Sequence, residues 1–484
     1  MNYRMILKIV GRVVGIEAVF MLVPMCVALY YSESPKGFLV AIAAAVAFAV
    51  VSGIITRNCD KKIYSKEGFT SVAISWVAIS LIGALPFVIE GEIPNYIDAV
   101  FETISGFTTT GSTLIPDVEA LSRGILFWRS LTHWIGGMGI LVFMMAVVPM
   151  SEDYSMYIMR AEISGPEAGG KLTAKVQHSS MILYLIYIFL TVAEAIALLL
   201  CKMPLYDSVV HAIGTAGTGG FGIKNASIGA YNNVAAEMVI AVFMLLFGIN
   251  FNLYFFIILK KFGAAFKNEE LRCYLGIVAF STLTIAYNIK PLYDNFLTAL
   301  RYSFFQVASI SSTTGFATTD FNEWPQYSKS IIMILMLMGA CAGSTTGGMK
   351  LSRIMILCKT ARVEIRHMLH PRSYNPVRIE GKTVQKETLR STVVFFSLDI
   401  IIIAVASVLV SFENKDFVTT LTSVATCVSN VGPGFSLIGP TGNFSIFSPF
   451  SKIILSICML MGRLELFPIL ILFYPSTWKK RGQF

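Results

Sequence analysis

The chain has 484 residues, 55% of them hydrophobic and 14% charged, with a mean hydropathy of +0.68. Soluble domains carry about 25% charged residues, so a soluble enzyme or binding module is excluded and a polytopic membrane protein is indicated. The net charge of +9 implies no nucleic-acid partner, because the basic residues lie in short segments beside apolar runs, where membrane topology accounts for them.

A spanning helix needs about 20 mostly apolar residues. Ten runs qualify, at about 6–30, 37–56, 70–90, 123–150, 178–201, 233–259, 272–289, 327–357, 388–411 and 450–475. The first two, within residues 1–57, form a helical pair. No A-x-A-like cleavage site follows the first run, so it is read as a span and not a removable leader. The other eight fall into four units, 68–151, 178–262, 272–370 and 385–476. Each holds a polar, Thr/Ser/Gly-rich segment between two spans: FETISGFTTTGST (101–113), VHAIGTAGTGGFG (210–222), FFQVASISSTTGFAT (304–318) and LTSVATCVSNVGPGF (421–435). In each, a glycine follows a polar residue by nine positions: Glu102 and Gly111, His211 and Gly220, Gln306 and Gly315, Ser423 and Gly432. The glycines are 109, 95 and 117 residues apart, an internal repeat of weak identity. The expected fold is an all-α polytopic membrane protein: four pseudo-repeated helix–pore-loop–helix units around a central pore, plus the N-terminal pair.

The polar segments are read as re-entrant loops. Irregular backbone at membrane depth is tolerated only where protein buries it or where it lines a water-filled cavity. Each begins with an apolar-periodic run, such as Ile97, Val100, Phe101 and Ile104, that a free external loop would not need. A cation passing a constriction must exchange its water for oxygen ligands, and rings of backbone carbonyls supply them. Glycine permits the positive φ that turns carbonyls towards one axis. Beside the glycines, Thr109, Thr110, Thr218, Thr313, Thr314 and Ser429 either point into the scaffold or lend hydroxyl oxygens. The short helices should aim their C-termini, each carrying about half a negative charge, at the axis. No carboxylate flanks a glycine, which argues against a calcium-type filter. Acids near the mouths (Glu92, Asp98, Asp117, Asp207, Asp294, Asp320, Glu323, Asp416) either concentrate cations or are ordinary solvated residues.

The eighth span is interrupted by Gly339 and CAGSTTGGMK (341–350). Interior glycines cost a helix about 1 kcal/mol each relative to alanine, so a break near mid-membrane is expected; a small-residue packing surface is the other reading. Arg463 lies within the last span, where an ionisable residue faces the bundle interior or a pathway. It is either an electrostatic barrier or one half of an ion pair with Glu465, Asp399, Glu194 or Glu17. Lys350 is expected to face the vestibule below the break. Of the 38 Lys and Arg residues, 27 fall on the side of the termini and of the 350–390 loop, which the positive-inside rule makes cytoplasmic.

Four helix–pore–helix units with single loop glycines and an added N-terminal pair resemble the TrkH-type potassium-uptake subunits of the Trk/Ktr/HKT superfamily, over essentially the whole chain. The N-terminal pair favours the TrkH type over the KtrB-like type. The resemblance implies a potassium filter formed by Thr110, Gly111, Thr218, Gly219, Gly220, Thr314, Gly315, Asn430, Val431 and Gly432. It implies a gate at Gly339, Gly343, Ser344, Thr345, Thr346, Gly347, Gly348 and Lys350, and a pore barrier at Arg463. Glycine at all four filter positions, where plant relatives selective for sodium carry a first-loop serine, implies potassium permeation. It further implies a multi-pass protein of the bacterial inner membrane, a homodimer, and a cytosolic TrkA-like nucleotide-binding ring of the RCK type. The nucleotide would bind the partner, and potassium is the transported ion.

Gly217, Gly219 and Gly222 match G-x-G-x-x-G, but between spans the match carries no nucleotide reading. Eight scattered cysteines give no disulfide framework, and the His367/His370 pair gives no metal site. No catalytic constellation is present. The transport alternative is an ion-coupled symporter, proton- or sodium-linked. Inverted repeats would place half the loops on the other face, and no chain of intramembrane Asp, Glu and His crosses the spans. Passive flow is the favoured reading.

Overall fold

The computed structural model describes residues 1–57, 59, 64–147, 176–372 and 375–478. The end of the first unit (148–151), the basic stretch 160–175 and the last residues, 479–484, lie outside them. Six helices are long and apolar enough to cross a membrane: Tyr3–Tyr30, Lys36–Ile55, Lys66–Ile89, Gln177–Leu200, Glu269–Leu292 and Lys386–Glu413. They are the N-terminal pair and the outer helix of each unit.

The four inner helices are all broken, which corrects the expectation of continuous spans at 123–150, 233–259 and 450–475. Arg123–Met138 gives way to Ile140–Val147 at Gly139, whose φ is 85°. Val234–Phe247 and Phe251–Ile258 meet at 93°. Gln326–Met338 and Leu351–Leu369 flank the Gly339–Lys350 segment. Pro449–Arg463 breaks before Phe467–Phe473, with Glu465 and Leu466 at φ 57° and 64°. Apolarity reports burial in lipid and is blind to backbone continuity; kinks need a local cause. The 350–390 stretch is also more ordered than a loop. The helix continues to Leu369 and is followed by a hairpin pairing Arg378 with Thr383 and Ile379 with Lys382.

Between each outer and inner helix lies a shorter one: Tyr96–Phe107, Leu205–Gly217, Phe296–Ser311 and Phe417–Ser429. At 1.5 Å per residue these reach about 18–24 Å, too short for a hydrocarbon core of about 30 Å. Each packs on the outer helix of its own unit and on the inner helix of the preceding one, and the fourth inner helix closes onto the first short helix. The loops between units join in the same cyclic order. Val118 N–H donates to Asn225 Oδ1 (2.9 Å), Gly229 N–H to Ala317 O (3.2 Å), Ser436 N–H to Asn322 Oδ1 (3.1 Å) and Phe444 N–H to Thr113 O (2.8 Å). The N-terminal helix Tyr3–Tyr30 packs on its partner, on the first outer helix and on the first inner helix.

Candidate ion-conduction site

Each short helix ends in the same turn. Thr110 N–H donates to Ser105 O (2.9 Å), Gly219 N–H to Gly214 O (3.1 Å), Thr314 N–H to Ser309 O (2.8 Å) and Val431 N–H to Thr426 O (3.0 Å). These are six-to-one bonds closing a Schellman-type cap around one left-handed residue. That residue is Thr109, Thr218, Thr313 or Asn430, with φ of 52–56°. Asn accepts this conformation readily, but a β-branched residue there is a genuine outlier. Two positions on, Gly111, Gly220, Gly315 and Gly432 have φ of 79°, 75°, 85° and 97°.

The four glycines meet. A Cβ on Gly111 would collide with Gly219 O, one on Gly220 with Thr314 O, one on Gly315 with Val431 O and one on Gly432 with Thr110 O. Each glycine thus faces the carbonyl preceding the next glycine, and the fourth closes on the first. Only glycine admits four backbones so close together. All four glycines line one 140 Å³ cavity at the mouth, walled also by Ser112, Thr113, Asn225 and Thr441.

Buried polar anchors hold the loops. Glu102 is fully buried and paired with Arg129 (2.8 Å). It also accepts from Thr113 Oγ1 and Leu114 N–H, both at 2.9 Å, which ties the first loop's descending limb to its helix. Arg129 lies over the Phe221 ring at 4.1 Å, joining units one and two. Gln306 Nε2 donates to Thr319 O (3.1 Å), and His211 Nε2 meets the Tyr231 hydroxyl (3.1 Å). His133 Nδ1 donates to Gly106 O (2.7 Å), while its Nε2 accepts from Phe221 N–H (3.3 Å). Arg129 and His133 were not singled out from the sequence. The available signal was two ionisable residues inside an apolar run, WRSLTHWIGG.

Several of the acids near the mouth are occupied structurally. Among the described residues no carboxylate lines the 140 Å³ cavity. Asp98 pairs with Lys452 (2.8 Å), Asp207 accepts from Tyr231 and Asp416 caps its helix at Thr419 N–H (2.9 Å). Hydrogen bonds from Asn225 and Lys224 hold the Asp117 and Glu119 carboxyls, respectively, below the usual carboxylate range.

On the side away from the mouth, the Gly339–Lys350 segment spans the space under the ring. Gly347 N–H donates to Thr313 Oγ1 (2.8 Å), and the Thr218 hydroxyl shares its proton between Gly217 O (2.7 Å) and Thr345 O (3.1 Å). A Cβ on Gly347 would meet Ser429 O and Asn430 Cβ. The segment therefore touches loops two, three and four. Gly339, Gly343, Gly348 and Lys350 have φ of 67–74°. Gly343 O accepts from Phe251 N–H (3.0 Å), Ala342 N–H donates to Glu270 Oε1 (2.8 Å), and Ser344 Oγ and Thr346 Oγ1 are 2.8 Å apart. Buried Lys350 donates to Thr346 O and to Thr346 Oγ1 (3.1 Å).

Arg463 Nη1 donates to Thr345 O (2.7 Å), and Nη2 to Gly136 O and Gly137 O. It clamps the segment to the break of the first inner helix. Of the acids weighed as its partner, Glu465 pairs instead with Arg353, and the carboxylate oxygens of Glu17 and Glu194 are buried without hydrogen-bond partners among the described residues. Among the described residues no cluster of three or more His, Cys, Asp or Glu could hold a metal ion.

The fold and this site define a class: a helical membrane protein in which four short helices end in loops that bring one glycine each into a closed ring. Comparison with known proteins agrees. The TrkH family model, described as a cation transport protein, matches residues 35–292 and 294–480. The Trk system potassium uptake protein TrkH of Salmonella typhimurium is 33% identical over 99% of this chain and 100% of its own length. TrkG of Escherichia coli is 32% identical, with 99% of each chain covered. The crystal structure of the potassium transporter TrkH from Vibrio parahaemolyticus superposes with a TM-score of 0.87 at 30% identity, over 99% of this chain and all of that one. The chain belongs to the TrkH family of cation transport proteins.

Proposed function

We propose that this chain takes up potassium across the bacterial inner membrane by passive, channel-like flow, with both termini in the cytoplasm. The observation that carries this reading is the closed cycle in which each of Gly111, Gly220, Gly315 and Gly432 abuts the carbonyl of the next loop. Such a ring offers neutral oxygens from Thr110, Gly219, Thr314 and Val431 to a desolvated monovalent cation, with the Thr218 and Asn430 positions forming its lower rim. An inside-negative potential offers about 2.3 kcal/mol per charge per 100 mV, sufficient to drive accumulation without a coupled ion.

Gly339–Lys350 acts as the gate. Three of the four left-handed residues are threonines in a conformation that costs about 1–2 kcal/mol each. Two of those hydroxyls, Thr218 and Thr313, bond the segment, while the Thr109 hydroxyl and Asn430 Oδ1 are buried without a hydrogen-bond partner among the described residues. The closed segment takes half of the side-chain oxygens that the lower rim could offer an ion; Arg463 holds it there, and Lys350 braces it internally through Thr346. Withdrawal of the segment returns those oxygens to the pathway.

The regulatory partner we propose is a cytosolic nucleotide-binding ring, and the assembly a homodimer. Support for the ring is the exposed basic face of Leu351–Leu369, carrying Arg362 and Arg366, with Lys359 bonding the hairpin at Arg378 O (2.9 Å). The test is cation flux in liposomes containing the purified chain. Potassium and rubidium should pass, sodium less, and flux should follow the imposed potential with no dependence on a proton or sodium gradient. Flux that demands such a gradient would establish the symport alternative.

A further inference from the structure

A groove outside the conduction pathway changes from apolar to charged along its length. Its volume is 840 Å³, within the range of about 300–1,000 Å³ typical of small-molecule pockets. It lies between the N-terminal helix, the first inner helix and the second pore helix, at the end of the molecule that bears the mouth. One end is apolar, walled by Val23, Cys26, Val27, Leu126, Phe127 and Val209. The other end is aromatic and charged.

At that end the Arg123 guanidinium lies 4.2 Å from the Tyr31 ring centroid and 5.6 Å from that of Tyr206. The Tyr206 hydroxyl donates to Arg123 O (2.7 Å), so the tyrosine is fixed beside it. The guanidinium itself donates no hydrogen bond and joins no ion pair among the described residues, whereas neighbouring Lys224 is neutralised by Glu119 (3.0 Å). Asp207, half-buried on the same wall, uses Oδ2 to accept from Tyr231 and has a second carboxylate oxygen. Aromatic side chains that place an apolar body and a polar tip at one level are typical of a membrane–water boundary.

We propose that this groove binds one zwitterionic aminophospholipid. Its phosphate sits on Arg123, its ammonium at Asp207, and one acyl chain runs along Val23, Val27, Phe127 and Val209. The charge pattern selects the headgroup. Arg123 alone would suit any phosphate, but Asp207 in the same lining, and Glu33, whose carboxylate accepts from Arg123 N–H and Gly124 N–H (2.8 Å each), repel a purely anionic head and attract an amine. Burial of the acyl methylenes removes apolar surface from water, so the chain supplies affinity and the headgroup supplies choice. The site has a mechanical consequence. Leu205, Tyr206, Asp207 and Val209 belong to the second pore helix, which leads directly to Gly220. The lipid is thus a wedge behind one quarter of the glycine ring.

Native mass spectrometry of the full chain in mild detergent, titrated with dioleoyl-phosphatidylethanolamine or dioleoyl-phosphatidylglycerol, tests this. Wild type should retain one phosphatidylethanolamine per chain with at least a fivefold preference. Arg123→Ala should reduce retention of both lipids several-fold. Asp207→Asn should erase the preference, and Val27→Trp, which fills the apolar end, should abolish retention. Equal retention of both lipids by wild type, or unchanged retention in Arg123→Ala and Val27→Trp, overturns the proposal. A separate readout needs no variant. Alkylation of Cys26, exposed in this groove, by N-ethylmaleimide should slow several-fold in bilayers containing phosphatidylethanolamine relative to phosphatidylglycerol alone; equal rates also overturn it. If Arg123→Ala instead dissociates a dimer with its lipid count unaltered, a second copy of the chain occupies the groove and the proposal falls.

Discussion

Replacing Gly315 by alanine tests the ring directly. Its φ of 85° places an alanine in the left-handed region, at a cost of about 1–2 kcal/mol. The new Cβ would also stand 2.5 Å from Val431 O and 2.9 Å from Pro433 Cδ. Neither neighbour is the free end of a flexible side chain, so the fourth loop must move, and forced overpacking of this kind costs about 1–3 kcal/mol. The sum, about 2–5 kcal/mol, falls on the one carbonyl that the third loop's glycine faces. Rubidium uptake into liposomes should drop at least tenfold, since about 1.4 kcal/mol already corresponds to a factor of ten. Thermal unfolding followed in parallel should shift downwards. Gly53→Ala is the matched control. It lies in the helix Lys36–Ile55, nothing surrounds its Cβ, and alanine favours a helix by about 1 kcal/mol. Uptake by Gly315→Ala equal to that of Gly53→Ala would refute the ring as the conduction path, even if Gly315→Ala proved less stable.

Thr313→Val keeps the shape of the left-handed residue and deletes the hydroxyl that receives Gly347 N–H. An unpaired buried donor costs about 1–3 kcal/mol, here charged to the closed segment, so flux through the unliganded chain should rise about 5- to 150-fold; a fall, or no change, contradicts the gate. Arg463→Ala should likewise raise flux, because it releases Thr345 O from Gly136 and Gly137, while the protein stays folded; collapse of folding would show that the residue is a structural pair after all. Glu119→Gln should leave the potassium KM within twofold of wild type, because Glu119 serves Lys224 and Asn225 and is no ion collector. For pH, the Asp117 and Glu119 carboxyls are held below their ordinary values. Whatever stability they contribute is present above the unfolded carboxylate range and is lost only as pH falls through the depressed folded values. Glu119→Gln and wild type should therefore show parallel stability–pH profiles from neutral down to the unfolded carboxylate value, and below it the two should converge as wild type loses a contribution the variant lacks.

Some of this protein was legible in one dimension. Composition required a membrane, because a chain 14% charged lacks the polar surface to be soluble. The glycine nine residues beyond Glu102, His211, Gln306 or Ser423 could be read because a re-entrant turn needs positive φ at a set distance from its helix. The run from Gly339 to Lys350 could be read because clustered glycines break a helix wherever they occur.

Tertiary structure alone decided the rest. The closing of loop four onto loop one, seen between Gly432 and Thr110 and between Phe444 and Thr113, joins residues more than 300 positions apart. No local pattern encodes such a meeting, since it depends on four units packing in cyclic order. The partners of Arg463 were equally hidden. Sequence offered acids to pair with a buried cation, whereas folding brought backbone carbonyls from two broken inner helices within reach. Carbonyls freed by a helix break are alike in every sequence, and only the packed chain shows where they point.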